Sequence, residues 1–490
     1  MTVRGTIRFL RRGQVVELGG VTPTATVLDY LRLEEKSRGT KEGCNEGDCG
    51  ACTVALGSLR GGRLVYEPVN ACILLMGQLD GKELVTVDDL ADGGSLHPVQ
   101  TAMVETHGSQ CGFCTPGFIM ALFTLYHAGA RPSRQDIVDH IAGNLCRCTG
   151  YRPIIEAAGA ACTGKAVDRW AKGASRAAEQ LAALADGSDV FIGDDSQFLA
   201  VPSSPESLAH LARRHPDATI VAGATDVGLW ITKQLRALPK VIHVSGVKAL
   251  HEIADGPDFL SIGAAATYAE AQSLLAAIDA DLGEVVRRIG STQVRASGTI
   301  GGNIANGSPI GDMPPMLIAL GATLHLQFGN EARTMPIEEF FLAYGRQDRR
   351  PGELVWRIDV PKLKKNERFR AYKLSKRFDQ DISAVMAAFK FGLSGATITA
   401  ARIAFGGMAA TPKRASLAEA ALAGANLGDP ESWSAAVAAL AEDYAPISDM
   451  RASASYRSEA AQALLRKALM ELAGGPDAAT RVVGSRGRAA

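Results

Sequence analysis

From 6 to 87 the chain reads in short alternations of apolar and polar residues. Positions 6–10 and 14–18 alternate on either side of Arg11, Arg12 and Gly13, the pattern of a β-hairpin. Val27, Leu28 and Leu31 then fall at helical spacing within 26–33, and further strands are predicted at 52–56, at 64–66 beyond Gly61 and Gly62, and at 84–87. After Asp88 the period changes to that of helices, at 98–106, 116–127 and 133–142, each opening on Pro or Ser. The alanine-rich stretch 163–189, whose large apolar residues are Trp170, Leu181 and Leu184, predicts a connector with a marginal helix. From Phe191 the two periods mix: a helix at 205–214, a strand, turn and helix across 220–230, strands at 384–393 and 401–405, and helices at 416–423 and 432–442. Residues 474–490 read as a disordered tail.

Composition narrows the class. A chain of 490 residues is too long for one core, and length suggests about three or four domains. Lys+Arg and Asp+Glu both count 52, so nothing in the overall charge favours a nucleic acid or an anionic membrane as partner. No apolar run approaches the length of a membrane span, and 1–18 interleaves Arg with apolar residues without the apolar block of a secretory signal. A cytoplasmic protein is expected, and there thiols stay reduced. Eight of the nine cysteines precede residue 150, which then asks for metal rather than cross-links.

Cys44, Cys49 and Cys52 follow the spacing C-x4-C-x2-C, with Cys72 as a more distant fourth. That is the ligand pattern of plant-type ferredoxins, in which a loop wraps a [2Fe-2S] cluster. Gly43, Gly47 and Gly50 permit the tight turns and close backbone approach such wrapping requires. A four-cysteine zinc site and a pair of disulfides are the alternatives, although zinc favours paired C-x2-C hooks. Cys111 and Cys114, with Cys146 and Cys148, lie beside predicted helix ends, where the dipole favours a thiolate. Four thiols from two helix junctions could hold a second cluster; taken alone, this set leaves zinc open. Cys162 remains over and reads as a small buried hydrophobe in an alanine-rich helix.

Three glycine-containing stretches bear on phosphate binding. The run 159–165 has the spacing G-x4-G-K, but Ala166 stands where the Mg²⁺-binding hydroxyl belongs and no strand precedes it, so it reads as chance. The strand, turn and helix of 220–230 present free N–H groups suited to a phosphate. The Gly/Ser/Asn-dense stretch 290–303, continued at 306–312, suits either a backbone pressed against a pyrophosphate or an ordinary surface loop. G-x-G-x-x-G is absent, so a Rossmann fold has no fingerprint.

Together the strings 43–52, 110–117 (Gln-Cys-Gly-Phe-Cys-Thr-Pro-Gly) and 144–151 (Asn-Leu-Cys-Arg-Cys-Thr-Gly-Tyr) closely resemble the iron-sulfur part of the xanthine oxidase family of molybdenum hydroxylases. The resemblance implies a multidomain α+β chain. Its parts would be a β-grasp ferredoxin-like [2Fe-2S] domain at 1–87, an all-α four-helix [2Fe-2S] domain at 88–162, a connector at 163–190, a vanillyl-alcohol-oxidase-type FAD-binding domain at 191–370 and an α+β flavoprotein C-terminal domain at 371–473, before the tail. Cys44, Cys49, Cys52 and Cys72 would hold one cluster; Cys111, Cys114, Cys146 and Cys148 would hold the other. Carried over residue by residue, Ile220, Val221, Ala222, Gly223, Ala224, Thr225, Asp226 and Val227 would line the FAD pyrophosphate and adenosine. Thr299, Asn303, Asn306 and Asp312 would follow its diphosphate and ribityl part, and Ile289, Val355 and Lys373 would lie against it. The stretch 370–381 matches a loop lying over the flavin, whose Asp379 and Asp381 would influence the nicotinamide or simply form a solvated turn.

Electron counting gives the implied function. Iron-sulfur clusters pass single electrons, NAD accepts two as hydride, and a flavin handles both. The order cluster, cluster, FAD on one chain resembles the small subunit of two-subunit bacterial xanthine dehydrogenases. It implies passage of electrons from purine hydroxylation through two [2Fe-2S] clusters to FAD and on to NAD. The molybdenum-pterin would reside on a large partner subunit, in a dimer of heterodimers. Arg147, between two ligands, would raise the second cluster's potential. The alternatives are the small subunit of a molybdenum hydroxylase acting on an aldehyde or N-heterocycle, or a redox sensor without turnover.

Overall fold

The computed structural model describes residues 2–474, so the expected tail lies outside the described residues apart from Gly474. The chain packs as two compact units, 2–249 with 290–298 and 250–289 with 299–474.

The first unit opens with the hairpin Thr6–Arg11 and Gln14–Gly19, turned at Arg12 and Gly13, both with positive φ. These strands join Glu83–Val85, Thr53–Arg60 and Arg63–Asn70 in a five-stranded mixed sheet. The predicted helix at 26–33 is a single α-turn, Val27–Asp29, running into a π-helical turn at Tyr30–Glu34. It buries Val27, Leu28 and Leu31 against Ile7, Phe9 and Val54. Helices follow at Pro98–Glu105, Thr115–His127, Arg134–Ile141 and Arg152–Ala161. Phe118, Leu122 and Phe123 form the centre of their core, and Cys162, buried, closes the last of them. The run 159–165 therefore sits at the end of a helix, where no N–H groups face a phosphate.

Two expectations need correction here. The connector contains a full helix, Arg169–Leu184, rather than a marginal one. Asp168 caps it by accepting from the Ala171 N–H, and Leu181 and Leu184 pack against Leu10 and Leu59. The stretch 290–303 is not a surface loop: it forms short helices at Thr292–Ser297 and Ile300–Asn306, capped by the hydroxyls of Ser291 and Thr299. Its side-chain oxygens spend themselves on backbone N–H groups at helix starts, the role these residue types favour.

A second sheet of the first unit takes Val3–Arg4 at its edge beside Asp189–Gly193, then Phe198–Val201, Lys240–His243 and Thr219–Val221. The helix Pro205–Arg214 occupies the predicted residues. In the second unit, five antiparallel strands include Phe259–Gly263, Thr323–Phe328 and Leu354–Pro361. They share a core with the apolar helix Met313–Leu320. A four-stranded meander contains Glu367–Leu374, Val385–Ser394 and Thr397–Gly406. Against it pack the helices Ser416–Ala421 and Ser434–Asp443 and a helix absent from the sequence reading, Ala454–Ala473. The stretch 370–381 begins as strand and only then turns: Asp381 accepts from the Arg377 N–H, and Asp379 lies 3.7 Å from Arg287.

Candidate cofactor sites

The first cysteine loop has no regular secondary structure and uses left-handed backbone at Asn45, Gly47 and Gly50. Two of these glycines are demanded by packing as well. A Cβ on Gly47 would meet Ile73 at 2.5 Å, and one on Gly50 would meet the Gly143 carbonyl at 2.2 Å. So folded, the loop turns backbone toward sulfur: the Cys44 N–H donates to Cys49 Sγ and the Cys49 N–H to Cys44 Sγ, each at 3.3 Å. The hydrogen bond from the Cys49 thiol lowers Cys44 below the ordinary thiol range. Cys72, carried in by the turn after Arg63–Asn70, lies within hydrogen-bonding reach of Cys52. That bond and burial keep its proton on.

The second set is built at two helix starts. Cys114 stands at the N-cap of Thr115–His127 with Cys111 in the preceding turn, and Cys146 and Cys148 precede Arg152–Ala161. Cys114 pairs with Cys146 and Cys111 with Cys148. Burial pushes Cys114 up to about 12. Burial also acts upward on Cys146, but the Thr149 hydroxyl, 3.2 Å away, and the Thr149 N–H outweigh it and lower that thiol. Cys111, Cys148 and Arg147 are exposed.

Thiol spacing bears on the choice between one ion and a cluster. A single tetrahedral zinc with Zn–S bonds of about 2.3 Å brings its four sulfurs within roughly 4 Å of one another. Among the described residues, three Cys, His or carboxylate ligand atoms lie within 4.8 Å of one another only at His97, His127 and Asp168. The cysteines instead approach in pairs, with N–H groups aimed at sulfur. This donor set fits a two-iron cluster, where each iron takes one pair.

The two loops are joined. The Leu145 N–H, next to Cys146, donates to the Cys49 carbonyl at 3.0 Å. Asn144 donates to the Gly50 carbonyl and to Thr53 Oγ1, while Gln293 donates to Asn144 Oδ1 at 2.9 Å. Asn144, Thr53 and Gln293 are all buried.

Of the FAD-assigned residues, 220–227 belong to the first unit. The strand Thr219–Val221 ends in a turn with Ala224 at φ 60°, and the helix Val227–Thr232 follows. Gly223 is pressed against the 290–298 segment, where a Cβ would meet the Ser297 carbonyl at 2.0 Å. This segment also adjoins the first cysteine loop. The Ala222 carbonyl accepts from Gln78, Gly228 packs on Ile73 beside Cys72, and Lys233 Nζ donates to the Cys44 carbonyl at 2.5 Å.

The remaining FAD-assigned residues belong to the second unit. Thr299 Oγ1 is used in capping Gly302, and the Asn306 carbonyl accepts from Gln347. Asn303 Oδ1 is buried without a partner, as a group awaiting a donor would be. Asp312 is taken up by Lys373 and by Ser383, each at 2.5 Å. Ile289 and Val355 pack against the core of the unit. The orphaned amide oxygen of Asn303 is a feature that fits a flavin nucleotide. Sequence reasoning passed over Asn144 and Gln293, both inside stretches it had singled out, and Lys233, for which no local signal exists.

The family model for a [2Fe-2S] binding domain matches 86–159, that for the FAD binding domain in molybdopterin dehydrogenase 195–363, and that for the CO dehydrogenase flavoprotein C-terminal domain 370–472. The chain is 31% identical to a xanthine dehydrogenase of Emericella nidulans, over 90% of this chain and 36% of that one. It is likewise 31% identical to a xanthine dehydrogenase/oxidase of Rattus norvegicus, over 84% of this chain and 34% of the other. It thus spans about a third of the length of these curated relatives. Among solved structures, a chain of the CO dehydrogenase from Oligotropha carboxidovorans is similar at TM-score 0.52 and 29% identity, covering 55% of this chain and 94% of that one. A chain of quinoline 2-oxidoreductase from Pseudomonas putida 86 is similar at TM-score 0.51 and 26% identity, covering 56% and 95%.

Proposed function

Since this chain belongs to the xanthine oxidase family of molybdenum hydroxylases, we propose that it is the electron-transferring part of such an enzyme, carrying electrons from a partner's molybdenum-pterin to NAD. When bound, two [2Fe-2S] clusters supply one-electron transfer, and FAD supplies the conversion to hydride transfer. Cys44, Cys49, Cys52 and Cys72 hold one cluster, and Cys111, Cys114, Cys146 and Cys148 the other. The N–H groups of Cys44, Cys49 and Thr149 stabilise negative charge on sulfur. Thr299, Asn303, Asn306, Asp312, Ile289, Val355 and Lys373, with 220–227, line the flavin.

The observation that carries this reading is the hydrogen bond from Leu145 to Cys49, which joins the backbones of the two cysteine loops directly. It gives an electron a short covalent and hydrogen-bonded route from one loop to the other. The direction is also supported: the exposed Cys111 and Cys148 suit a partner's approach, whereas the first loop adjoins the flavin-assigned 220–233 segment. A large molybdenum-pterin subunit, a dimer of heterodimers, purine as substrate and a cytoplasmic location complete the proposal. Among the described residues no helix is long and apolar enough to cross a membrane.

The test is analysis of the purified chain, with iron and acid-labile sulfide expected for two clusters, one FAD and no molybdenum. Zinc without sulfide overturns it. NADH oxidation with an artificial acceptor is expected from the chain alone, and its absence favours a redox sensor. A second reading draws on the structural neighbours, a CO dehydrogenase and a quinoline oxidoreductase: the partner hydroxylates another substrate, such as an aldehyde or N-heterocycle. Purine, aldehyde and heterocycle assays on the co-expressed complex separate the two.

A further inference from the structure

The loop that wraps Cys44 receives a cation from another element of its unit. Lys233 stands just past the helix Val227–Thr232, and its Nζ donates to the Cys44 carbonyl at 2.5 Å while lying 3.6 Å from Glu46 Oε2. Both side chains are exposed, at 42% and 41%. The Lys233 N–H bonds back to the Leu229 carbonyl, so the residue is anchored to the helix that follows the 220–227 turn. Its Nζ is thereby held on the backbone of a sulfur-bearing residue.

We infer that Lys233 is a positioning and potential-setting residue for the first cysteine loop, raising the potential of the cluster that loop would hold. The inference rests on the cluster assignment above. One-electron reduction of a [2Fe-2S] centre adds one negative charge and makes or breaks no bond. A fixed cation beside the ligand backbone therefore favours the reduced form, by Coulomb attraction and by polarising the carbonyl. Glu46 acts in the opposite sense and limits the effect. Because Lys233 belongs to the same segment as the flavin-assigned turn, the charge is placed where electrons would leave for the flavin. The cysteine loop gains it only when that segment is docked.

The experiment is an EPR-monitored redox titration of the cofactor-loaded chain, with the first cluster's signal assigned by its change in Cys52→Ser. Lys233→Met is expected to shift that signal to lower potential and leave the second cluster's potential in place. Glu46→Gln is expected to shift it upward, and Lys233→Arg to stay near the parent. Raising ionic strength should shrink the difference between parent and Lys233→Met, since the pair is exposed. A Lys233→Met chain with full iron and sulfide content and an unmoved first potential overturns the role of Lys233. Equal shifts in both clusters also overturn it, because they mark a general structural change. Absence of both cluster signals from the parent chain overturns instead the assignment on which the inference rests.

Discussion

At the residue scale, two positions show how little freedom the chain leaves. Gly50 combines a φ of 68° with a neighbouring carbonyl 2.2 Å from where a Cβ would stand. Gly50→Ala should therefore force apart the loops that Leu145 and Asn144 tie together, lowering cluster content by sulfide assay and the melting temperature together. Asp168 is the second. Its Oδ2 takes both His97 and His127, at 2.7 and 2.8 Å, and its Oδ1 takes the Ala171 N–H. His97 Nδ1 accepts from the Val99 N–H, so its proton sits on Nε2 and is given to Asp168. A metal at this trio would need the lone pair that this tautomer withdraws. Burial alone would raise the Asp168 carboxyl, but the two imidazoles hold it far below the usual range. In Asp168→Asn one oxygen becomes a donor facing either the histidines or the helix cap, at a cost of about 1–3 kcal/mol. The sign for pH follows from the lowered value. The stabilisation is complete above the unfolded carboxyl's pKa near ~4 and is lost as pH falls below it. The difference in melting temperature between parent and Asp168→Asn should thus hold from pH 7 to about 5 and narrow in stronger acid.

At the element scale, the elements legible in the sequence are those whose period is local. The hairpin at Thr6–Arg11 and the helix Pro205–Arg214 announce themselves by alternation and by Pro after a Ser cap. Arg169–Leu184 was underrated because it needs only two large residues, Leu181 and Leu184, to attach it, and Asp168 is a cap whose other partners are remote. Ala454–Ala473 carries a local signal in its buried Ala461, Leu465, Ala468 and Leu469, at helical spacing, and is further anchored by a polar residue. Arg457 is fully buried, donating to the carbonyls of Ala384 and Gly407 and to Asp449. Arg457→Met should strip three acceptors at once and destabilise the second unit by on the order of 3 kcal/mol, read by chemical denaturation. At 290–306 the composition pointed to a loop, yet Ser291 and Thr299 are ordinary helix caps; the signal was present and outweighed. The cysteine loops were legible because metal-type spacing survives without knowledge of tertiary structure. The ties of Asn144 to Gln293 and of Lys233 to Cys44 were not, since they join segments that only folding brings together.

At the scale of the whole molecule, the first unit is not a string of independent beads. It holds both cysteine loops, the 220–230 turn and, from farther along the chain, 290–298. Gln293 in that late segment is bonded to Asn144 and Thr53 in the cysteine region. Gln293→Ala should consequently loosen the joint between the two loops from outside either of them. A weakened spin–spin interaction between the two reduced clusters in EPR, with iron content unchanged, is the expected result.

The pairing of Val3 with Asp189 and of Arg4 with Val190 carries a consequence for biosynthesis. Arg4 and Arg8 both form ion pairs with Asp186, just before the strand they await. On the ribosome, the start of the chain emerges early and stays without its sheet neighbour until the connector helix has left the exit tunnel. Both cysteine loops are therefore synthesised before the edge that Val3–Arg4 adds to the sheet of 189–243 can exist. Folding around the cysteine loops and closure of that edge become ordered events in time, set by position along the message rather than by affinity alone.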